Sequence, residues 1–281
     1  MTRETFPECV RKPSDMRNIS RAIVRDASLS GAGFLKRRRP AHALYSLMAH
    51  YVFDDQRSQF AHQLSMLPSL REFVSTDSAM SMVRGNTPID GAYFHLSFDE
   101  GLACLARNAA AILDENGIAA LVFVNSAVAG NPTIEERGQW EKATNYAKSL
   151  GVMDWATLLS KGFEIGAHTR THVRLTSISY DPRVLIEKIS GCKAEIETAT
   201  GRPCHYFASR FGHLGDIYAA SIQCVDDSGF DAAFSGVRGT IFASSGNNNF
   251  VIARHHFEPQ WPICHLRYFL ASGRFELLRD I

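Results

Sequence analysis

The chain has 281 residues, 45% of them hydrophobic and 21% charged, with a formal net charge of +1. That composition supplies one large apolar core, and the near balance of acids and bases argues against a nucleic-acid surface. No apolar run approaches the ~18 residues of a membrane span. The opening stretch MTRETFPECVRKPSD lacks the apolar centre of a signal peptide, so a cytoplasmic enzyme or binding protein is expected. The six cysteines are scattered with no CxxC pair, the pattern of reduced, buried thiols rather than of a disulfide framework.

Residues 1–40 carry no clear period and are read as an N-terminal arm. From Ala41 to Leu67 the apolar residues Leu44, Leu47, Met48, Val52, Phe60, Leu64 and Leu67 recur at helical spacing, and Asp54-Asp55 between the two halves predicts a cap for the second helix. A short helix is expected over 76–84. After Gly85 the pattern changes. AYFHLSF (92–98) reads as a strand, LACLARNAAAILDENG (102–117) as a helix closed by Asn-Gly, and IAALVFV (118–124) as a strand covered on both faces. TIEERGQWEKATNYAKSLG and MDWATLLSKG read as helices and FEIGA as a strand. DPRVLIEKISGCKAEIETATG (181–201) is a helix with Pro182 at its start and Gly201 past its end. CHYFA, FDAAFSG and FVIARHHF (250–257) are strands, with a helix over DIYAASIQCVDDSG. Strand and helix alternate from residue 90 onward, which favours a parallel sheet with helices outside, as a barrel or a doubly wound sheet.

In such folds the reactive groups sit where strands end and loops begin. Asp99-Glu100 occupies such a position. Successive strand side chains point to opposite faces, so Gly101 must let the chain turn if both acids are to line one rim. The competing reading is that they cap the helix starting near Leu102. His168 and His172 follow a second strand end, spaced i, i+4, which on a helical turn puts two imidazoles on one face. Two neutral imidazoles and a carboxylate suit a divalent ion with positions left for water and substrate.

SFDEG (97–101), GFEIGAHTRTH (162–172) with Trp155 upstream, and AEIETATGRPCHYFASRFGH (194–213) together resemble the polysaccharide deacetylases, the group that includes the NodB-type chitooligosaccharide deacetylases and carbohydrate esterase family 4. The resemblance covers residues 41 to 275. It implies a distorted (β/α) barrel of about seven parallel strands over 41–281, a divalent metal, zinc above others, and hydrolysis of an N-acetyl group on a sugar, polysaccharide or glycan precursor. Carried over by motif, Asp99 is the general base and Glu100, His168 and His172 are the metal ligands. The chain departs from the family in three places. Glu100 stands where the family has Asp. In the FASRFGH loop Ala208 takes the family's arginine position, Arg210 replaces a proline, and the Phe211 N–H is a candidate oxyanion donor. For the late histidine that acts as general acid, His256 is the first candidate, with His255, His213 and His265 behind it. Arg210 is assigned either to orienting Asp99 or to holding the oxyanion. The departures keep open a catalytically impaired glycan- or protein-binding module and a hydrolase of a non-sugar amide. An oligomer remains possible.

Overall fold

A computed structural model describes residues 3–10, 27, 29, 31, 42–67, 72–144, 146, 150–210, 219–242 and 250–272. After a one-turn helix α1 (Phe6–Cys9), the chain enters β1 (Ala43–Ala49), α2 (Arg57–Met66), β2 (Glu72–Phe73), α3 (Thr76–Val83) and β3 (Ala92–Phe98). Then follow α4 (Ala103–Asn108), α5 (Ala110–Glu115), β4 (Leu121–Val124), α6 (Ser126–Ala129), α7 (Ile134–Ala143), α8 (Trp155–Ser160) and β5 (Glu164–Ala167). The chain continues through α9 (Pro182–Thr200), β6 (Tyr206–Ala208), α10 (Ala219–Asp227), β7 (Ala232–Phe234), β8 (Ile241–Phe242), β9 (Val251–Ile252), β10 (His255–His256) and α11 (Ile263–Ser272).

The strands lie in the order β10-β1-β3-β4-β5-β6-β7-β9, every neighbouring pair parallel, with β2 added to β3 and β8 added antiparallel to β1. The two ends of this order belong to one extended segment. Val251 and Ile252 pair with Ala233 and Phe234 on β7, while His255 and His256 pair with Leu47 and Met48 on β1. Residues 251–256 thus join both edges of the curled sheet and close it into a distorted (β/α) barrel.

Strand parity sorts the side chains. Leu44, Leu121, Phe123, Tyr206, Phe234 and Ile252 pack into the barrel interior, where Met80 and Val83 of α3 join them. Tyr45, Leu47, Phe94, Leu96, Val122 and Val124 face the other way, against helix residues such as Leu105, Leu185 and Ile189. The longest helix, α9, follows its sequence signals closely: Asp181 caps Arg183 N–H, Pro182 opens the first turn, and Gly201 ends it at φ +65°.

Three sequence expectations are corrected. Residues 43–49 form a strand, not a helix. All seven are buried, and the run is covered on both faces between β3 and β10, a setting that overrides an accidental 3.6-residue spacing. Asp54 and Asp55 do not cap α2, whose N-cap is Gln56 with no side-chain bond. They bind the N-terminal segment instead, Asp54 Oδ2 accepting from Glu4 N at 2.8 Å and Asp55 Oδ1 from Phe6 N at 3.0 Å. The helix expected over TIEERGQWEKATNYAKSLG stops at Ala143, and Tyr146 pairs in a bridge with Val10. No helix among the described residues is long and apolar enough to cross a membrane.

Candidate active site

Parity along the strands also assembles the barrel mouth. On β3 the inward series ends at Asp99 after His95 and Ser97, and on β1 at His50 after Ser46 and Met48. His168 ends β5 after Gly166, and Arg210 ends β6 after Ala208. Arg254 and His256 come from the closing segment. These residues, with Glu100, His172, Tyr51, Tyr146 and Glu258, line one cavity of about 370 Å³.

The two acids reach one rim because Glu100 and Gly101 both adopt left-handed backbone, at φ 71° and 61°. A Cβ on Gly101 would lie 2.9 Å from Val124 Cγ1, so glycine is required there by contact as well as by φ. The cap reading fails, since α4 has Leu102 as N-cap with no side-chain bond. Glu100, Thr169 and His172 are the non-glycine residues at positive φ among those described, and all three belong to the two motifs. Such strain persists where the surroundings over-determine it and clusters at functional sites.

The loop 168–172 is not a helical turn, which corrects the geometric basis of the histidine pair. Its rings still meet, at 5.0 Å between centroids. Asn125 holds the loop, donating to the carbonyls of His168 at 2.6 Å and Thr169 at 3.1 Å, and itself accepts from Trp140 Nε1 at 3.1 Å. Arg170 clamps the outside through ion pairs to Glu136, Glu187 and Glu195.

Asp99 is 3% exposed. Burial alone raises a carboxyl, yet the Arg254 guanidinium brings Asp99 down to about 2. The pair is bidentate, Nη1 to Oδ1 at 2.7 Å and Nη2 to Oδ2 at 2.9 Å, and Arg254 is further fixed on Ser97 Oγ at 3.2 Å and the Ser235 carbonyl at 2.8 Å. The residue that orients Asp99 is therefore Arg254, not Arg210, whose guanidinium donates to the Ala143 carbonyl. Arg254 comes from the closing segment, between its pairing with β7 at Val251–Ile252 and with β1 at His255–His256.

His168 Nδ1 lies 2.8 Å from the Ala208 carbonyl. A carbonyl only accepts, so Nδ1 carries the proton and Nε2 keeps its lone pair toward the cavity. Burial lowers the pKa of His168, and burial followed by His168 and Arg210 drives that of His172 well below the usual imidazole value, so both rings are neutral. His172 Nε2 is 3.5 Å from Glu100 Oε1, and its Nδ1 is buried without a hydrogen-bond partner. Glu100 Oε2 receives the Tyr146 hydroxyl. Burial raises the Glu100 pKa. The donors suit a divalent cation in kind: two neutral imidazoles with nitrogen atoms to offer and one carboxylate oxygen beside them. Among the described residues no three His, Cys, Asp or Glu side chains are already drawn together as a metal cluster, and one oxygen of the Glu100 carboxylate is taken by Tyr146.

His256 lines the cavity, and His255 does not. His255 points into the barrel wall, with Nε2 3.1 Å from Thr240 Oγ1. His256 Nε2 is 3.3 Å from Glu258 Oε1. Burial pushes Glu258 up, but its bonds to His256, Tyr51 and Gln260 bring it down to about 2. His50, absent from the sequence reading, stands edge-on to His256 at 5.3 Å between centroids. His265 packs on Trp261 outside the cavity lining. Phe211 and His213 lie outside the described residues.

A curled, mostly parallel sheet closed on itself with helices outside is the (β/α) barrel fold of the NodB-type deacetylases. A family model described as polysaccharide deacetylase matches residues 87–232, just over half of the 281 residues, and the chain belongs to that family. The fold is similar to that of IcaB from Ammonifex degensii, with a TM-score of 0.65 and 19% identity over 81% of this chain and 97% of that one. It is similar to the Streptococcus pyogenes deacetylase PplD, with a TM-score of 0.63 and 14% identity over 82% and 99% of the two chains. A de-N-acetylase from Aggregatibacter actinomycetemcomitans gives a TM-score of 0.60 and 16% identity over 81% and 99%. At these identities the likeness speaks for the fold. No curated protein sequence matches the chain.

Proposed function

We propose that this chain is a metal-dependent hydrolase that removes an N-acetyl group from an N-acetylated saccharide. The observation that carries the reading is the meeting, at one barrel mouth, of a carboxylate locked as an anion by Arg254 with two neutral imidazoles and a second carboxylate. Glu100, His168 and His172 are the proposed ligands, and zinc suits this donor set best. A divalent cation held by these three residues would supply Lewis acidity toward the acetyl carbonyl and a water, and Asp99, kept as an anion, is the base that takes the water's proton. Arg254 fixes the Asp99 carboxylate so that one oxygen faces the attacking water. His256, steadied by Glu258, protonates the leaving amine, and His50 lies against it as the next donor in line. Arg210, on the cavity rim, is proposed to face the developing oxyanion, and the Phe211 N–H stays a candidate donor on the motif alone.

The test uses the purified chain supplied with zinc and an N-acetylglucosamine oligomer. Acetate release is expected, together with about one equivalent of bound metal. Asp99→Asn is expected to cut the rate by roughly 10²-fold or more, and His168→Ala to lose both metal and activity. Full activity in both variants would sink the reading. The Tyr146–Glu100 bond favours a second reading, a barrel that binds glycan without cleaving it. Metal far below one equivalent after reconstitution, with oligomer binding retained, would select that reading.

A further inference from the structure

We propose that Arg238 forms an anion-binding subsite beside the candidate catalytic centre, so that the preferred substrate is an N-acetylated saccharide carrying a carboxylate or a phosphate. The proposal rests on the deacetylase reading for the reaction but on a different set of contacts for the site.

Arg238 lies between β7 and β8 and lines the same cavity as Asp99 and His256. Its guanidinium stacks on Phe269 at 3.7 Å from the ring centroid, with Trp261 at 5.8 Å. Trp261 in turn meets His256 edge-on at 5.5 Å, so one aromatic ring separates Arg238 from the proposed proton donor. Nη1 of Arg238 is buried and has no hydrogen-bond partner, and no carboxylate among the described residues lies within ion-pair distance of it. Four other charged groups around the cavity already hold partners. Arg254 is forked on Asp99, Arg210 donates to the Ala143 carbonyl, Glu100 holds Tyr146, and Glu258 holds Tyr51 and Gln260.

A largely buried cation without a counter-charge is unfavourable in the free protein. Burial is the cause that lowers Arg238, to about 10, which leaves it cationic at neutral pH. A guanidinium plane held by two aromatic faces keeps its donor edge fixed, and that edge matches the paired oxygens of a carboxylate or phosphate. A neutral saccharide offers hydroxyls, which cannot neutralise the charge. The cation therefore selects for an acidic group on or next to the sugar that carries the acetamide.

The test is calorimetric titration of the full chain at constant ionic strength with N-acetylglucosamine, N-acetylglucosamine 1-phosphate and N-acetylmuramic acid. At least one charged probe is expected to bind 10-fold or more tightly than the neutral sugar, and the better of the two identifies phosphate or carboxylate as the source. In Arg238→Gln this preference should vanish, and in Arg238→Lys it should be partly retained. Trp261 emission should respond to the charged probe in the wild type and not in Arg238→Gln. A melting temperature at or above that of the wild type checks that the glutamine variant is folded; should it melt lower, the lysine variant and the wild-type probe series decide. Equal binding of charged and neutral probes, no binding of any probe, or a preference that survives Arg238→Gln would overturn the proposal. Acetate release is scored separately. Anion preference without acetate release removes the hydrolase reading and leaves this subsite, whereas acetate release with no charge preference does the reverse.

Discussion

Replacing Arg254 with Met is the most informative single perturbation of this barrel. The side chain is fully buried and makes four hydrogen bonds, two to Asp99 and one each to Ser97 and Ser235. Its removal leaves the Asp99 carboxylate buried without a partner. Breaking a buried ion pair from one side costs about 3–5 kcal/mol, most of it the penalty of the stranded charge. Against a total stability of about 5–15 kcal/mol that is a large fraction, and it corresponds to a loss of roughly 10 °C in melting temperature for a domain of this size. Adding Asp99→Asn removes the stranded charge, so the double variant should be more stable than the sum of the two single losses by about 2 kcal/mol or more. Urea unfolding of the four proteins measures this coupling directly. Losses that add within about 0.5 kcal/mol, or a melting temperature for Arg254→Met equal to the wild type's, would refute the reading that Arg254 holds Asp99 as a buried anion.

Two further outcomes follow from buried positions of the barrel. His95 and His255 are held by burial at about 3, while in the unfolded chain they return to about 6.5. Between those values the unfolded chain binds the extra protons, so the contribution is complete above pH 6.5 and shrinks as pH falls. At pH 5 each histidine should have lost about 2 kcal/mol, which lowers the melting temperature by on the order of 10 °C for the pair. His255→Gln should flatten about half of that slope, and a melting curve unchanged between pH 7 and pH 5 would contradict the assignment. Gly166 on β5 is the second test. A Cβ there would meet the Phe123 ring at 2.6 Å and the Tyr206 carbonyl at 3.0 Å, so Gly166→Ala should cost about 1–3 kcal/mol by overpacking, read by denaturant unfolding.

What the sequence disclosed depended on whether local signals agreed with the tertiary setting. Helix α9 was readable to the residue because its cap, Pro182 and Gly201 act within the segment itself. The strands β3, β4 and β5 were readable because their apolar runs are short and end in turn formers. β1 was not, since Leu44, Leu47 and Met48 fit a helical stripe as well as a strand buried on both faces, and only pairing with β3 and β10 decides between them. The difference has a chemical consequence. With 43–49 taken as a strand, the inward series Leu44, Ser46, Met48 points to His50 at the mouth, where it stands against His256. Arg254 was hidden for a related reason. FVIARHHF reads as one strand, yet it serves as two short pairings on opposite edges of the sheet, and the residue at the crossing is the one that reaches Asp99. Motifs name residues that keep their place in a loop. The guanidinium that locks the acid is set by barrel closure, a property of the whole sheet, and so Arg254, far from Asp99 along the chain, meets it only once residues 251–256 have paired with both edges.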